Sequence, residues 1–254
     1  QAKAKAKAID SEAELLLQKA TFRAQEVEAK AQKKFDEAVE DNILNKYSIK
    51  VHMLELSKKQ DLYVKMKNGG FYTSELKSYN YACTRIASAP KGSKAHQFAV
   101  INRMRSIKEF QTKENYVHYL LKGIDNKCIV FANTQAQADR ICEHSYHSKN
   151  KNSEDNLKAF KHGLINTLSC VEQLNEGVTI PELKEGIIMH SYGNERKSAQ
   201  RLGRLLRLNP NDHATIHILC YANTIDETWV NSALKGIDKS NIEYLHAYVN
   251  HQNV

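Results

Sequence analysis

Three polar side chains near the end of the chain have a spacing that could bring them to one phosphate group. They belong to the octapeptide Gln200-Arg201-Leu202-Gly203-Arg204-Leu205-Leu206-Arg207. On a helix, Gln200, Arg204 and Arg207 share one face, while the leucines can turn toward a core. A guanidinium group is permanently charged and planar, and its donors match phosphate oxygens. The pattern fits phosphoryl-transfer chemistry and an ordinary basic amphipathic helix equally well.

A polar turn and three polar pairs could complete such a site. The turn is Asn175-Glu176-Gly177-Val178-Thr179-Ile180-Pro181, whose glycine would let the backbone approach a ligand. A surface loop is the alternative interpretation. The pairs follow apolar runs, at Asn133-Thr134, Ser169-Cys170 and Ser191-Tyr192. If those runs are parallel strands, the pairs lie at the carboxyl edge of the sheet, where ligands gather.

Apolar runs do alternate with helical patterns from Lys127 onward. The predicted strands are Lys127–Ala132, Leu164–Leu168, Gly186–His190 and Thr215–Tyr221, and the predicted helices are Gln135–Ser145, Asp155–Lys161, Lys197–Leu206 and Asp226–Lys235. This order predicts an α/β fold, in which a mostly parallel sheet carries helices on both faces.

The first half of the chain is predicted to be largely helical. Residues 2–39 are rich in Ala, Lys, Glu and Gln and contain neither Gly nor Pro, which predicts one long helix or two. Alternation over Tyr47–Met53 predicts a strand, and Asn68-Gly69-Gly70 marks a break in the next segment. A helical block follows from Ser74 to Gly123. Its basic residues Arg103, Arg105, Lys108 and Lys113 could face phosphates, or form a solvated face.

The composition narrows the class of partner and the compartment. Against 29 Asp and Glu, the 254 residues contain 37 Lys and Arg, a formal net charge of +8 that favours a polyanion such as nucleic acid. The five cysteines form no C-x-x-C pair, as is usual for free thiols in a reducing cytoplasm. Isolated histidines, His162, His190, His217 and His246, match no ligand spacing, so we expect no metal site. With no membrane span or signal peptide in the sequence, we expect a cytoplasmic protein, in a bacterial or phage-infected cell.

Four segments in this order resemble the conserved motifs of superfamily-two helicases. Lys127–Thr134 resembles motif IV and Tyr146-His147-Ser148 the segment called IVa, while the Glu176-Gly177 turn resembles motif V and Gln200–Arg207 motif VI. The resemblance covers about residues 35–235. Where many members have Asp this chain has Thr179, and where many have Thr it has Val171. In these positions it is more similar to phage and restriction-type helicases.

The resemblance implies two RecA-like lobes with ATP and Mg²⁺ between them, held mainly by the first lobe, and a nucleic-acid strand across both. Arg204 and Arg207 would be arginine fingers that Gln200 helps to position. Further residues would line the nucleotide cleft (Glu176, Gly177 and Thr179) or contact the strand (Asn133, Thr134, His147, Ser148 and Ser169). The resemblance favours DNA over RNA as the partner.

The chain lacks a G-x-x-x-x-G-K-[ST] phosphate loop. Since it also opens at Gln1, we expect a piece of a longer or processed polypeptide, whose first lobe lies elsewhere in cis or trans. The predicted organisation is a helical extension or linker (1–45), a RecA-like carboxy-terminal lobe (46–240) and a tail (241–254). We expect an ATP-dependent helicase or translocase once the first lobe is present. The alternatives are a non-catalytic RecA-like module that binds nucleic acid or a partner, and a translocase subunit of a restriction system.

Overall fold

The computed structural model describes residues 46–171, 180–191, 213–235 and 237–247. The strands are β1 (Lys46–Leu54), β2 (Leu62–Met66), β3 (Gly69–Thr73), β4 (Cys128–Ala132), β5 (Ser145–Tyr146), β6 (Thr167–Val171), β7 (Glu185–Ile188), β8 (His213–Tyr221) and β9 (Ile242–Ala247). The helices are α1 (Glu75–Ser88), α2 (Lys94–Glu109), α3 (Gln111–Leu121), α4 (Gln135–Ile141), α5 (Ser153–Lys161) and α6 (Ile225–Ala233), and a 3₁₀ turn covers Lys239–Asn241.

Seven strands form one sheet in the order β5-β6-β4-β7-β8-β1-β9, and every neighbouring pair is parallel. The predicted α/β fold with a parallel sheet is therefore confirmed for the described residues. Because parallel strands connected by crossovers are covered by helices, their inner positions are apolar on both faces. All five residues of β4 are buried.

The two faces of the sheet carry separate apolar cores. Alternate residues of β4 show the division, since Ile129 and Phe131 pack on one face and Cys128, Val130 and Ala132 on the other. On the first face, α5 contributes Leu157 and Phe160. Helices α1 to α4 cover the second face through Tyr79, Ile107, Val117 and Ile141. The described fold is an α/β layer structure with helices on both sides of the sheet.

Hydroxyl side chains fix where four of the helices begin. Ser74, Ser93, Thr134 and Thr224 each accept a hydrogen bond from a backbone N–H in the first turn, and so cap α1, α2, α4 and α6. Such a cap satisfies a donor that has no partner within the helix. The predicted helical block from Ser74 to Gly123 is confirmed as three helices.

An antiparallel hairpin, β2–β3, stands apart from the main sheet. Two residues, Lys67 and Asn68, connect its strands, and Gly69 follows with a φ of 111°, a conformation that favours glycine. At the root of the hairpin, Ser57 N–H donates to Glu75 Oε2 at 3.0 Å and Leu76 N–H donates to Ser57 O at 3.1 Å. The root is thereby fixed to the start of α1.

Three predicted boundaries are wrong. The helix predicted to reach Ser145 ends at Ile141, since Cys142 is extended and Ser145 begins an edge strand. The strand predicted at 164–168 lies at Thr167–Val171, because α5 first closes through Gly163 at a φ of 71°. The residues predicted as a tail from 241 include β9, which pairs with β1 at the edge of the sheet. The predicted helices over 2–39 and 197–206 lie outside the described residues.

Candidate nucleic-acid interface at the carboxyl edge of the sheet

The end of β4 leads directly into the amino terminus of α4. Asn133 N–H donates to Gln137 Oε1 at 2.8 Å, and Thr134 Oγ1 accepts from Gln137 N–H at 3.1 Å. One buried glutamine therefore fixes the two residues that the sequence selected after the strand. Thr134 is exposed and Asn133 half-buried, so both can be reached from solvent.

A hydrogen bond connects this loop with the loop after β5. Gln135 Nε2 donates to Ser148 Oγ at 3.1 Å on the surface. The structure thus brings Thr134 and Ser148, two residues predicted to contact the strand, to the same part of the sheet edge. Gln135 was not selected from the sequence, because a lone glutamine after a helix cap gives no signal of its own.

His147 faces the protein rather than solvent. Its Nε2 lies 2.8 Å from Asp139 Oδ1, and Ser145 Oγ donates to the same oxygen at 2.6 Å. The hydrogen bond with His147, and to a smaller extent the one from Ser145, hold the pKa of Asp139 below its ordinary value. The imidazole is buried against the turn after β5, so His147 shapes this turn and does not present its ring to a strand.

Ser169 is fully buried, and its predicted contact with nucleic acid is wrong for this conformation. Its hydroxyl donates to Ala138 O at 2.8 Å, from the middle of β6 to the last turn of α4. A hydroxyl in a strand that is covered by a helix needs such a partner, since an unpaired polar group is costly to bury. Ser169 therefore packs α4 on the sheet.

A buried ion pair joins the ends of β7 and β8. Lys113, completely buried at the start of α3, donates through Nζ to Asp226 Oδ2 at 2.5 Å, Met189 O at 2.7 Å and Leu219 O at 2.8 Å. All three ammonium donors are thus used. Asp226 also accepts from Tyr221 N–H at 2.9 Å. The sequence had suggested that Lys113 either faces phosphates or belongs to a solvated face. Because Lys113 is buried, both interpretations are wrong for this residue.

A second polar network crosses the sheet beneath α3. His52 on β1 contacts Tyr116 Oη at 2.9 Å and His217 Nδ1 at 2.8 Å, and His217 Nε2 lies 3.1 Å from Glu185 Oε2. Burial first, and then the neighbouring His217 and Lys50, lower the pKa of His52 to about 4. His52 is therefore neutral at pH 7. The network connects β1, β8 and β7, strands that lie side by side in the sheet.

Two segments leave the sheet beside Asn133. Val171, the last residue of β6, pairs with Ala132, and Ile188, the last residue of β7, pairs with Phe131. The residues after β6 include Glu176, Gly177 and Thr179, and those after β7 include Gln200, Arg204 and Arg207. These six residues lie outside the described ranges. Both segments that carry them begin at the sheet edge where Thr134 and Ser148 lie.

Residues 111–209 match the family model described as "Helicase conserved C-terminal domain". The match begins at the first residue of α3 and takes in β4, the segments that follow β4, β6 and β7, and the octapeptide 200–207. These residues are therefore similar to the conserved carboxy-terminal domain of helicases. We call residues 111–209 the helicase domain.

A curated translocase is similar to part of this chain. A curated protein, DNA 3'-5' translocase XPB2 of Sulfurisphaera tokodaii, is 29% identical over 116 residues, which cover 43% of this chain and 26% of the relative. The chain thus spans about a quarter of that relative's length.

Two solved structures are also similar. The DEAD-box protein SrmB of E. coli, bound to RraA, is 17% identical, with a TM-score of 0.43 over 54% of this chain and 83% of that chain. The ATP-dependent Type ISP restriction-modification enzyme LlaBIII bound to DNA is 13% identical, with a TM-score of 0.48. The similarity covers 84% of this chain and 16% of that chain.

The described ranges contain no group of three or more His, Cys, Asp or Glu side chains that could hold a metal ion. None of their helices combines the length and apolar character that a membrane crossing requires. The five cysteines are free thiols, and burial raises the pKa of Cys220, in β8, to about 12.

Proposed function

We propose that the helicase domain is the second motor lobe of an ATP-dependent helicase or translocase acting on nucleic acid, with DNA favoured over RNA. The observation that carries this proposal is the position of the family match, because it includes both the polar edge around Thr134 and the octapeptide 200–207. In this proposal, the catalytic side chains of the lobe are Arg204 and Arg207, with Gln200 beside them. The activity requires a first RecA-like lobe.

The donor chemistry of the octapeptide fits a nucleotide phosphate. Two guanidinium groups at positions 204 and 207 can each donate in a planar fork to phosphate oxygens. ATP with Mg²⁺, held mainly by the first lobe, would supply the phosphoryl group whose transfer drives movement. The arginines would stabilise negative charge in the transition state, and Gln200 would orient them. Glu176, Gly177 and Thr179 would line the same cleft.

The strand contacts of this lobe would come from Asn133, Thr134 and Ser148. Their support is exposure at one sheet edge and the Gln135–Ser148 hydrogen bond that joins two loops there. His147 and Ser169 are left out of this interface, because one faces Asp139 and the other is buried under α4. Contacts from such side chains to a phosphodiester backbone are independent of base sequence.

The test is ATP turnover by the assembly that contains the first lobe, in saturating single-stranded nucleic acid. We expect Arg207→Ala and Arg204→Ala each to lower turnover by roughly 10³- to 10⁵-fold with little change in ATP affinity, because an arginine finger acts on the transition state. Arg207→Lys should be almost as slow, since an ammonium lacks the planar fork.

Arg201→Ala is the matched control, because position 201 carries the same side chain in the same octapeptide but points away from the face of 200, 204 and 207 on a helix. It should keep turnover within a few-fold of the unmodified protein. Wild-type turnover in both Arg204→Ala and Arg207→Ala would overturn the motor proposal and favour a RecA-like module that only binds nucleic acid or a partner.

A further inference from the structure

The whole net charge of the protein resides in one segment that lies outside the helicase domain. Residues 58–109, here called the basic segment, contain eleven Lys and Arg against three Asp and Glu, a net charge of +8. The remaining residues contain 26 of each sign. The segment comprises the hairpin β2–β3 and helices α1 and α2. A field of one sign on one segment attracts a polyanion.

The hairpin displays two aromatic rings beside these charges. Tyr63 and Tyr72 are directly paired across the strands, with ring centroids 5.2 Å apart, and 52% and 65% of their surfaces are exposed. Lys65 lies on the same face, since it is two residues along β2 from Tyr63. Two exposed aromatic rings next to lysines combine a surface for stacking with positive charge.

Glycine at position 70 lets the phenol end of the Tyr63 ring pack closely against the hairpin. A Cβ built on Gly70 would collide with the phenol end of that ring and with Val64 O. The ring is therefore supported from below by backbone and open on its outer side. Such a fixed ring loses little freedom when another flat group stacks on it.

The hairpin is also fixed at its root. Glu75 is buried and accepts from Ser57 N–H, from Thr112 N–H at 2.9 Å and from Thr112 Oγ1 at 2.7 Å. Leu62, the first residue of β2, packs against the apolar core under α1 to α4. Four exposed lysines, Lys58, Lys59, Lys65 and Lys67, lie in or next to the hairpin, and none forms an ion pair with a described residue.

We propose that this hairpin is a second binding site for single-stranded nucleic acid, in which bases stack on Tyr63 and Tyr72 and the exposed lysines contact the phosphates. Sequence-tolerant stacking on aromatic rings in a positively charged surface is how proteins hold single strands. A protein partner fits less well, because protein interfaces are depleted in lysine. This site is separate from the sheet edge and needs no nucleotide.

The experiment measures equilibrium binding of two labelled strands to the full 254-residue chain by fluorescence anisotropy, without ATP. One strand is a 20-mer of thymidylate, and the other is an abasic strand of equal length, which keeps the phosphates and lacks the bases. The variants are Tyr63→Ala/Tyr72→Ala, Tyr63→Phe/Tyr72→Phe and Lys65→Met/Lys67→Met. Tyr119→Ala is the matched control, because Tyr119 is equally exposed but lies on α3.

The double alanine variant should bind the thymidylate strand roughly tenfold or more weakly and the abasic strand unchanged. The phenylalanine variant should bind both as the unmodified protein does, since the ring is retained. The lysine variant should bind both strands more weakly. The slope of the logarithm of affinity against the logarithm of salt concentration should fall by about 0.7 for each lysine. Tyr119→Ala should change nothing.

Equal binding of thymidylate by the double alanine variant and the unmodified protein would overturn the proposal, and would leave the hairpin as a surface for a protein. An equal loss on both strands would also overturn it, because stacking cannot act on an abasic strand. Tyr63→Leu/Tyr72→Leu, which keeps apolar cover on the hairpin, must lose thymidylate binding as the alanine variant does. The outcome is independent of the motor proposal, whose test is ATP turnover.

Discussion

The helicase domain and the basic segment use charge in opposite ways. In and next to the helicase domain, the charged side chains of Lys113, Glu114 and Asp226 are buried and paired. Lys113 meets Asp226 from α6, and Glu114 receives two hydrogen bonds from Arg140, at 2.5 and 2.9 Å. In the basic segment, lysines face solvent in a run with few acidic residues. The first arrangement fixes strand ends and helices in place, whereas the second remains available for a ligand.

Glu114 shows how inward charge is stabilised. Burial alone would raise the pKa of this carboxyl, but hydrogen bonds from Arg140 and Gln137 outweigh burial, and its pKa lies below the ordinary value. A charge held in this way costs stability when its partner is removed. Replacing a lysine that is solvated by water changes the free energy of unfolding very little. The two regions should therefore respond very differently to the same kind of substitution.

The largest effect is expected at the ion pair. Lys113→Met should lower the free energy of unfolding by about 3–5 kcal/mol, because it leaves Asp226 charged and buried, with only Tyr221 N–H as a donor in the described structure. Urea denaturation followed by circular dichroism measures this change. Lys65→Met, the same substitution in the basic segment, is the matched control and should change it by less than about 0.5 kcal/mol.

The double variant Lys113→Met/Asp226→Leu sharpens this test. Removing both charges should recover part of the lost stability, since no unpaired charge remains in the core. If Lys113→Met were as stable as Lys65→Met, the contrast between the two regions would be wrong.

An intermediate effect is expected from acid at His52. Its pKa is about 4 in the folded protein and near 6.5 when unfolded, so the folded state binds fewer protons between these values. The free energy of unfolding is therefore unaffected by His52 above pH 6.5. As the pH falls toward 4, His52 lowers it by up to about 3 kcal/mol. Urea unfolding at several pH values measures the slope, and NMR titration of the His52 ring locates its pKa.

His52→Gln should remove this contribution, because an amide does not titrate. The slope between pH 6.5 and 4 should then become shallower while other titrating groups still contribute. An unchanged slope in His52→Gln would assign the acid sensitivity to another group.

The smallest effect is expected in the basic segment. Exchanging Lys58 and Lys59 for Met together should change the free energy of unfolding by less than about 1 kcal/mol, because both side chains are exposed and have no ion pair with a described residue. The same exchange should weaken binding of thymidylate at low salt. A large loss of stability here would show that these lysines, too, are structural.

The sequence predicted the parallel sheet well, because local pattern determines it. Continuous apolar runs such as Cys128–Ala132 occur when a strand is covered on both faces, and alternation with helices implies crossovers. The hairpin was less visible. Asn68-Gly69 marked a turn correctly, but the exposed aromatic pair became apparent only when the strand register placed Tyr63 opposite Tyr72.

Side-chain roles were harder to predict than elements. Lys113 resembles any lysine on a basic helix, since its three acceptors come from segments about 76 to 113 residues away. Ser169 looked like a strand-end polar residue, yet the strand extends to Val171 and buries it. Thr134 was predicted to contact a nucleic-acid strand, and its role as the cap of α4 was not predicted, although a threonine before a helix is a local signal for a cap. The roles of Arg204, Arg207 and Gln200 stay predictions.

The position of β1 in the sheet has a consequence for synthesis. This strand pairs on one side with β8, in a register where Lys46 lies opposite His213, and on the other side with β9. Both neighbours are made long after β1 itself. At about 5–20 residues per second, a ribosome needs roughly 10–30 s to add the intervening residues. During that time Ile49 and Val51, fully buried in the finished protein, have no sheet to join. The nascent chain must therefore keep an apolar strand from pairing wrongly until its last strands emerge.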